Sequence, residues 1–339
     1  MTQPPATTES LYVRDPDLWF NDGSVVLEAE KTVFKVYSGI LSQYSGSPVF
    51  GDMFSFPQPD EHDKDAETYD GRPLIHIPDS AHDLHHFLKA MHDSSYFDVS
   101  SLGPPDTLVI TAVLRLSTKY EVNHLRARAI TVLSRWYPPT LEAFIVLPRS
   151  FLPREEFPRH VLVANIARET DVPVLLPAAL LLCCATSNAR SIWDGAFYKE
   201  DSSLLCNLVD TNKRAIFLGR PLLSHFARTR VQSFFFYPKE KAEKCQAPER
   251  CSSFCRIYSS VYDDKEDPWM NPFYKLNWTS IRSTCCNMCA ASWEKQHEDE
   301  IKKLWEELPN LFDLPGWPEL TQRPIEPLIP LSLPVPDLV

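Results

Sequence analysis

DLWFNDGSVVLEAEKTVFKVYSGILSQYSGSPVFGDMFSF, residues Asp17 to Phe56, is the stretch whose reading decides the fold. Leu18, Trp19 and Phe20 form a short apolar run. Asn21-Asp22-Gly23 follows, and Asp-Gly is a strong hairpin signal because both positions tolerate positive φ. Val25, Leu27 and Ala29 then alternate with Val26, Glu28 and Glu30, a period of two that predicts a half-buried strand with one apolar face. Val33, Phe34 and Val36 continue the extended run or lead into a first helix. Ile40, Leu41 and Tyr44 stand at helical spacing. Ser47 is placed to cap a second helix, with Pro48 at its first position, where a missing N–H costs nothing. Val49, Phe50, Met53 and Phe54 supply the apolar stripe behind it.

Strands, turn and two short helices in this order resemble the opening of a BTB/POZ domain, most of all the versions in large fungal families. Phe34 to Leu41 is similar to the family's strand-to-helix entry, with Tyr37 where many members carry His. Ser47-Pro48-Val49-Phe50 resembles its S-P-V-F motif, Asp52-Met53-Phe54 completes it, and Gly46-Ser47 reads as a small insertion. The resemblance continues through Pro73–Asp79, Phe87–Met91 and Leu114–Tyr120, over roughly the first third of the chain. It implies an interaction module that self-associates as a homodimer or holds protein partners.

The 339 residues admit two domains, or one with a large extension. At 44% hydrophobic, the chain has enough apolar residues for a core and is not disordered throughout. A net charge of −11 argues against nonspecific nucleic-acid binding and against anionic membrane surfaces. Gly is scarce at 9 and Pro frequent at 30, which suits helices with hard stops and not phosphate-binding glycine loops. MTQPPATTES carries neither the basic start nor the apolar run of a signal peptide. The apolar run Val172 to Ala185 contains Pro173 and Pro177 and is shorter than a membrane span, so it reads as a buried helix. The expected compartment is intracellular and reducing, where nine cysteines are thiols or metal ligands.

Along the chain, residues 1–14 read as a polar flexible tail and 15–136 as the BTB-like unit. The charged stretch between Phe56 and Gly71 is a solvated loop leading to a strand, Leu74–Ile77. Ser80 and Asp83 open a helix with a capping-box pattern, and Leu84, Phe87, Leu88 and Met91 form its inner face. His82 and His86 share its other side and, with Asp79 or Asp83, could hold a metal, but no fourth ligand is implied and a polar outer helix face is the preferred reading. Pro104-Pro105-Asp106 and Asn123 introduce two more helices, a pair similar to the end of a BTB domain. Residues 137–240 read as a helical extension with segments at Leu141–Leu147, His160–Thr170, Pro177–Ala185 and Pro221–Phe236. No repeat period emerges.

Residues 241–317 form a Cys-rich segment. Cys245, Cys251, Cys255, Cys285, Cys286 and Cys289 fall within 45 residues. The pairs Cys251-x3-Cys255 and Cys286-x2-Cys289 have the spacing of two chelating turns, so Cys251, Cys255, Cys286 and Cys289 are the expected ligands of one structural zinc. Cys245, Cys285 and His297 are the substitutes, and buried unligated thiols are the alternative. The fungal BTB proteins that this chain resembles carry a comparable cysteine pair ahead of a C-x-x-C and a terminal helix. Trp293, His297, Ile301, Leu304 and Leu308 mark that helix here, and Leu311 to Trp317 is similar to the family's closing L-P-x-x-F-x-L-P-x-W run. Residues 318–339 read as a Pro-rich tail.

The expected class is therefore α+β: a short mixed sheet capped by helices, then a mainly helical extension with a Cys-rich segment. Phosphate-binding, nucleophile-elbow and zinc-protease motifs do not occur, and no enzymatic activity is expected. The expected function is a homo-oligomerising adaptor or scaffold. The resemblance also allows a substrate adaptor of a cullin ubiquitin ligase, a nuclear transcription-complex component, or a structural oligomer. The family's cullin-binding motif, an apolar residue two before a Glu, does not occur in Met91–Leu102.

Overall fold

The computed structural model describes residues 11–55, 67–96, 106–148, 156–186, 188–199, 201–237, 245–263, 271–273 and 275–322. Most of the expected tail, the core of the charged loop and the Pro-rich segment beyond Gln322 lie outside the described residues. The protein is α+β and divides into two compact units, with the break between Leu133 and Ser134; the sequence reading set its boundary near Trp136.

In the first unit, β1 (Val13–Trp19), β2 (Val25–Ala29), β3 (Thr32–Val36), β4 (Thr68–Tyr69) and β5 (Arg72–His76) form one mixed sheet in the order β1-β3-β2-β5-β4. β1 starts at Val13, inside the stretch read as tail. Asn21-Asp22-Gly23 does not close a hairpin, because β3 lies between β1 and β2. The hairpin is β2–β3, turned by Glu30 and Lys31 with φ of 48° and 68°. Both central residues take left-handed backbone, as a two-residue hairpin turn requires. The Glu28 carboxylate accepts the Lys31 N–H at 2.6 Å and supports it. Gly23 answers a different need: a Cβ there would sit 2.8 Å from Cγ of Lys35.

β2 is buried on both faces, not one. Val26, Val33 and Leu74 pack with Tyr12, Trp19 and Tyr69 on one side, while the pleat sends Leu27 and Phe34 to the other. A central strand between covered faces loses the polar alternation that a half-buried one keeps. After a π-helical turn (Ile40–Tyr44), α1 (Pro48–Ser55) opens as expected, with the Ser47 hydroxyl accepting the Phe50 N–H at 3.1 Å. α2 (Ala81–His92) is capped by Ser80, α3 (Thr107–Lys119) by Asp106, and α4 (Asn123–Trp136) follows. Phe50 stacks on Tyr120 with ring centres 4.6 Å apart.

The second unit is mainly helical: α5 (Leu141–Ile145), α6 (Phe157–Glu169), α7 (Leu176–Thr186) and α8 (Ala189–Asp194) come first. α7 is the buried helix read from the run after Val172, and Ala178 to Cys184 are fully buried. A two-stranded ribbon, β6 (Ala196–Phe197) and β7 (Leu205–Cys206), interrupts the helices where none was expected. Its strands are too short to show a period. α9 (Asp210–Phe226) begins well before Pro221, which lies inside it. A second π-helical turn (Ala227–Val231) leads to α10 (Ser233–Phe236), then α11 (Pro248–Asp263), α12 (Trp278–Thr284), α13 (Asn287–Leu311) and α14 (Trp317–Gln322). No helix among the described residues is long and apolar enough to cross a membrane.

Candidate metal centre

The segment containing six cysteines folds around an aromatic core of Phe234, Phe235 and Trp293, with Leu276 and Ile281 beside them. Phe234 and Trp293 stack with ring centres 5.5 Å apart. Pro248 occupies the first position of α11, so Cys245 falls in the turn before the helix and Cys251 in its first turn. On the other side, α12 ends at Cys285 and α13 begins at once, with extended backbone at both Cys285 and Cys286. Cys286 is the N-cap of α13. Its sulfur takes the place of the usual cap oxygen and accepts the Cys289 N–H at 3.5 Å.

These two helix starts bring four sulfurs together. The ligand atoms of Cys245, Cys251, Cys286 and Cys289 all lie within 4.8 Å of one another. The Cys245 and Cys286 sulfurs are 3.9 Å apart, and the Cys286 N–H reaches the Cys251 sulfur at 3.3 Å. A tetrahedral four-thiolate zinc has Zn–S bonds of about 2.3 Å, hence sulfur edges of roughly 3.8 Å. The cluster is near that geometry and far from the ~2.05 Å of a disulfide. None of the nine cysteines is in a disulfide. Cys251 and Cys289 are fully buried, Cys286 nearly so, and Cys245 is half-buried.

The electrostatics distinguish the thiols. Burial opposes ionisation of Cys286, but the N–H groups of Cys289 and Gln246 and the thiols of Cys289 and Cys251 outweigh it. They hold its pKa down at about 6. Burial pushes Cys251 up. Cys285 is pushed up to about 12 by burial, with the neighbouring Cys251 and Cys255 adding to it. The donor set thus holds one ready thiolate among thiols that a divalent cation can deprotonate.

Three of the four expected ligands are brought together, and Cys255 is replaced by Cys245. Cys251 and Cys255 sit one helical turn apart on α11 rather than on a hairpin. The Cys255 thiol donates to the Phe234 carbonyl at 3.3 Å. His297 lies farther along α13, buried edge-on to Trp278 with ring centres 5.5 Å apart, and is not in the cluster. The signal for Cys245 was Pro248, which marks the helix start and so places residue 245 beside residue 251.

The histidines of α2 gather without a carboxylate to spare. The His82 and His86 Nε2 atoms are 3.2 Å apart. Asp83 pairs with Arg115 at 2.6 Å and with His82 at 3.2 Å, while Asp79 accepts from Lys119 and Tyr120. Among the described residues, the four cysteines are the one group of three or more ligand side chains close enough to hold an ion. A scan against protein-family models and searches of curated proteins and of solved structures return no match to this chain.

Proposed function

We propose that the chain is a protein-interaction adaptor, not an enzyme: a BTB/POZ-type unit joined to a helical body fastened by one structural zinc. The observation that carries the first part is the order of elements. A β2–β3 hairpin, two short helical segments, β5 returning parallel to β2, α2 and a closing helix pair follow one another in the first unit. That succession is what the motifs around Ser47-Pro48-Val49-Phe50 imply. The second part is supported by the four-sulfur cluster, whose all-thiolate donor set suits zinc and leaves no open coordination position for catalysis. Cys245, Cys251, Cys286 and Cys289 would hold the ion, tying the starts of α11 and α13 together.

In this reading the first unit self-associates and the second presents a separate surface, so that dimerisation adds avidity for a partner. The cullin-adaptor and nuclear forms of the idea rest on the family resemblance alone. Size-exclusion chromatography with light scattering tests the reading: a dimer is expected, and a strict monomer at micromolar concentration removes the self-association. Affinity purification from cells decides the cullin form by whether a cullin is recovered.

A further inference from the structure

The sulfurs of the proposed zinc site differ in what can reach them. Cys251 and Cys289 are fully buried and Cys286 nearly so, whereas Cys245 is half-buried. An oxidant dissolved in water therefore meets Cys245 before the other three. The backbone sets the same residue apart. Cys251 lies in the first turn of α11, with its N–H on the Ala247 carbonyl at 3.0 Å, and Cys289 lies in the first turn of α13. Cys245 precedes Pro248, where α11 starts, and stands on non-helical backbone.

The nearest partner for an oxidised Cys245 is fixed by distance. Its sulfur is 3.9 Å from that of Cys286, which has extended backbone at the N-cap of α13. Closing that gap to the ~2.05 Å of a disulfide takes about 1.9 Å of movement, within reach of two side chains whose backbones are not helical. The other two thiols of the segment are placed differently. Cys285 is buried beside Cys251, and Cys255 gives its thiol to the Phe234 carbonyl at 3.3 Å. Neither belongs to the four-sulfur set.

We propose that Cys245 and Cys286 are an oxidative modification site: a peroxide joins them in a disulfide and thereby expels the zinc. The proposal rests on the four-thiolate zinc reading and adds its regulation. A zinc-bound cysteine is a thiolate. The Cys245 thiolate attacks one peroxide oxygen, the O–O bond breaks and hydroxide leaves, giving a sulfenic acid at Cys245. The Cys286 thiolate then attacks the Cys245 sulfur, forming the S–S bond and displacing a second hydroxide. The cysteine pair loses two electrons, the peroxide gains them, and two protons from solvent turn the hydroxides into water. Cys251 and Cys289 alone are too few donors for a closed tetrahedral site, and they take up protons as the ion leaves. The bridge still joins the approach to α11 to the start of α13, so a thiol reductant and zinc reverse the change.

The test oxidises the full chain with hydrogen peroxide. Elemental mass spectrometry counts bound zinc before and after, and non-reducing peptide mapping identifies the disulfide. The expected result is loss of one zinc for each Cys245–Cys286 bridge formed, with Cys255 and Cys285 still open to alkylation after denaturation. Dithiothreitol followed by zinc should restore the loaded chain. Cys285→Ser should give the same bridge and the same loss, since that thiol takes no part. Four outcomes overturn the proposal: zinc lost with no bridge, a bridge between another pair, a Cys245–Cys286 bridge in a chain that keeps its zinc, or a changed product in Cys285→Ser. A chain with no zinc before oxidation would overturn the metal reading too, and the first measurement tells that failure from the others.

Discussion

Cys251 and Cys255 are separated by one turn of α11, and what each sulfur meets decides which of them joins the cluster. The Cys255 thiol is engaged by the Phe234 carbonyl at 3.3 Å, whereas the Cys251 sulfur lies with those of Cys245, Cys286 and Cys289. Cys245→Ser and Cys286→Ser are therefore expected to lose the zinc, and Cys255→Ser to keep about one ion per chain. Elemental mass spectrometry of the three proteins checks this, and zinc lost from Cys255→Ser but kept in Cys245→Ser would sink the assignment. The residue types were legible in the sequence; the pairing was not, because spacing cannot tell a chelating turn from a helical one. His297 gives a second prediction at this scale. Burial holds its pKa down at about 4, and Nε2 has no hydrogen-bond partner among the described residues. The folded chain thus favours the neutral ring, while the unfolded chain takes up a proton near the ordinary imidazole value of about 6.5. The stabilisation is full above that value and is lost as pH falls through about 4. It is worth on the order of 3 kcal/mol. His297→Leu should flatten this part of the pH dependence in urea unfolding. Cysteine protonation is common to both proteins and cancels in the comparison, so parallel curves would show that His297 does not contribute.

Elements with a cap and a stripe were legible, because caps and stripes are local. Ser47 before α1, Ser80 before α2 and Asp106 before α3 all accept the expected backbone N–H groups. α13 carries Trp293, Leu304 and Leu308 inward as its spacing required. Where a tertiary contact chose the residue, the local reading failed. Gly23 was read as a hairpin residue and serves instead to let Lys35 pass. Pro221 was read as a helix start and lies within α9. α13 shows how such contacts fasten an element along its length. Cys286 caps its start, the Trp305 indole donates to the Pro139 carbonyl at 3.0 Å, and the Arg230 fork reaches Glu307 at 2.7 and 3.0 Å. At its far end Gly219 of α9 meets it closely. A Cβ at Gly219 would lie 2.6 Å from the Phe312 ring and 2.8 Å from the Leu311 carbonyl. Ring rotation cannot relieve the backbone contact. In an open helix Gly→Ala stabilises by up to about 1 kcal/mol. Here Gly219→Ala is expected to destabilise by about 1–2 kcal/mol, overpacking outweighing propensity. Denaturant unfolding reads the sign, and a stabilised variant would mean that α9 and α13 are not packed this closely.

For the whole molecule, two compact units predict two separable unfolding events. The first unit is built on a five-stranded sheet and the second, residues 134–323, around α7 and the cysteine core. This division follows from which residues the topology gathers, and only part of it was readable: all nine cysteines fall after Leu133, but α4 runs across the break and hides its position. All four proposed ligands belong to the second unit. An ion that binds only the folded state adds its binding free energy to that unit alone. For a unit of this size each kcal/mol moves the midpoint by about 2–4 °C. Zinc removal that costs several kcal/mol should then lower the second transition by on the order of 10 °C. Differential scanning calorimetry with and without a zinc chelator reads both transitions at once. The expected record is one midpoint that stays and one that falls, with readdition of zinc restoring it. A chelator-insensitive pair of transitions would make the cysteines packed thiols, and a single transition shifting as a whole would mean that the two units unfold together.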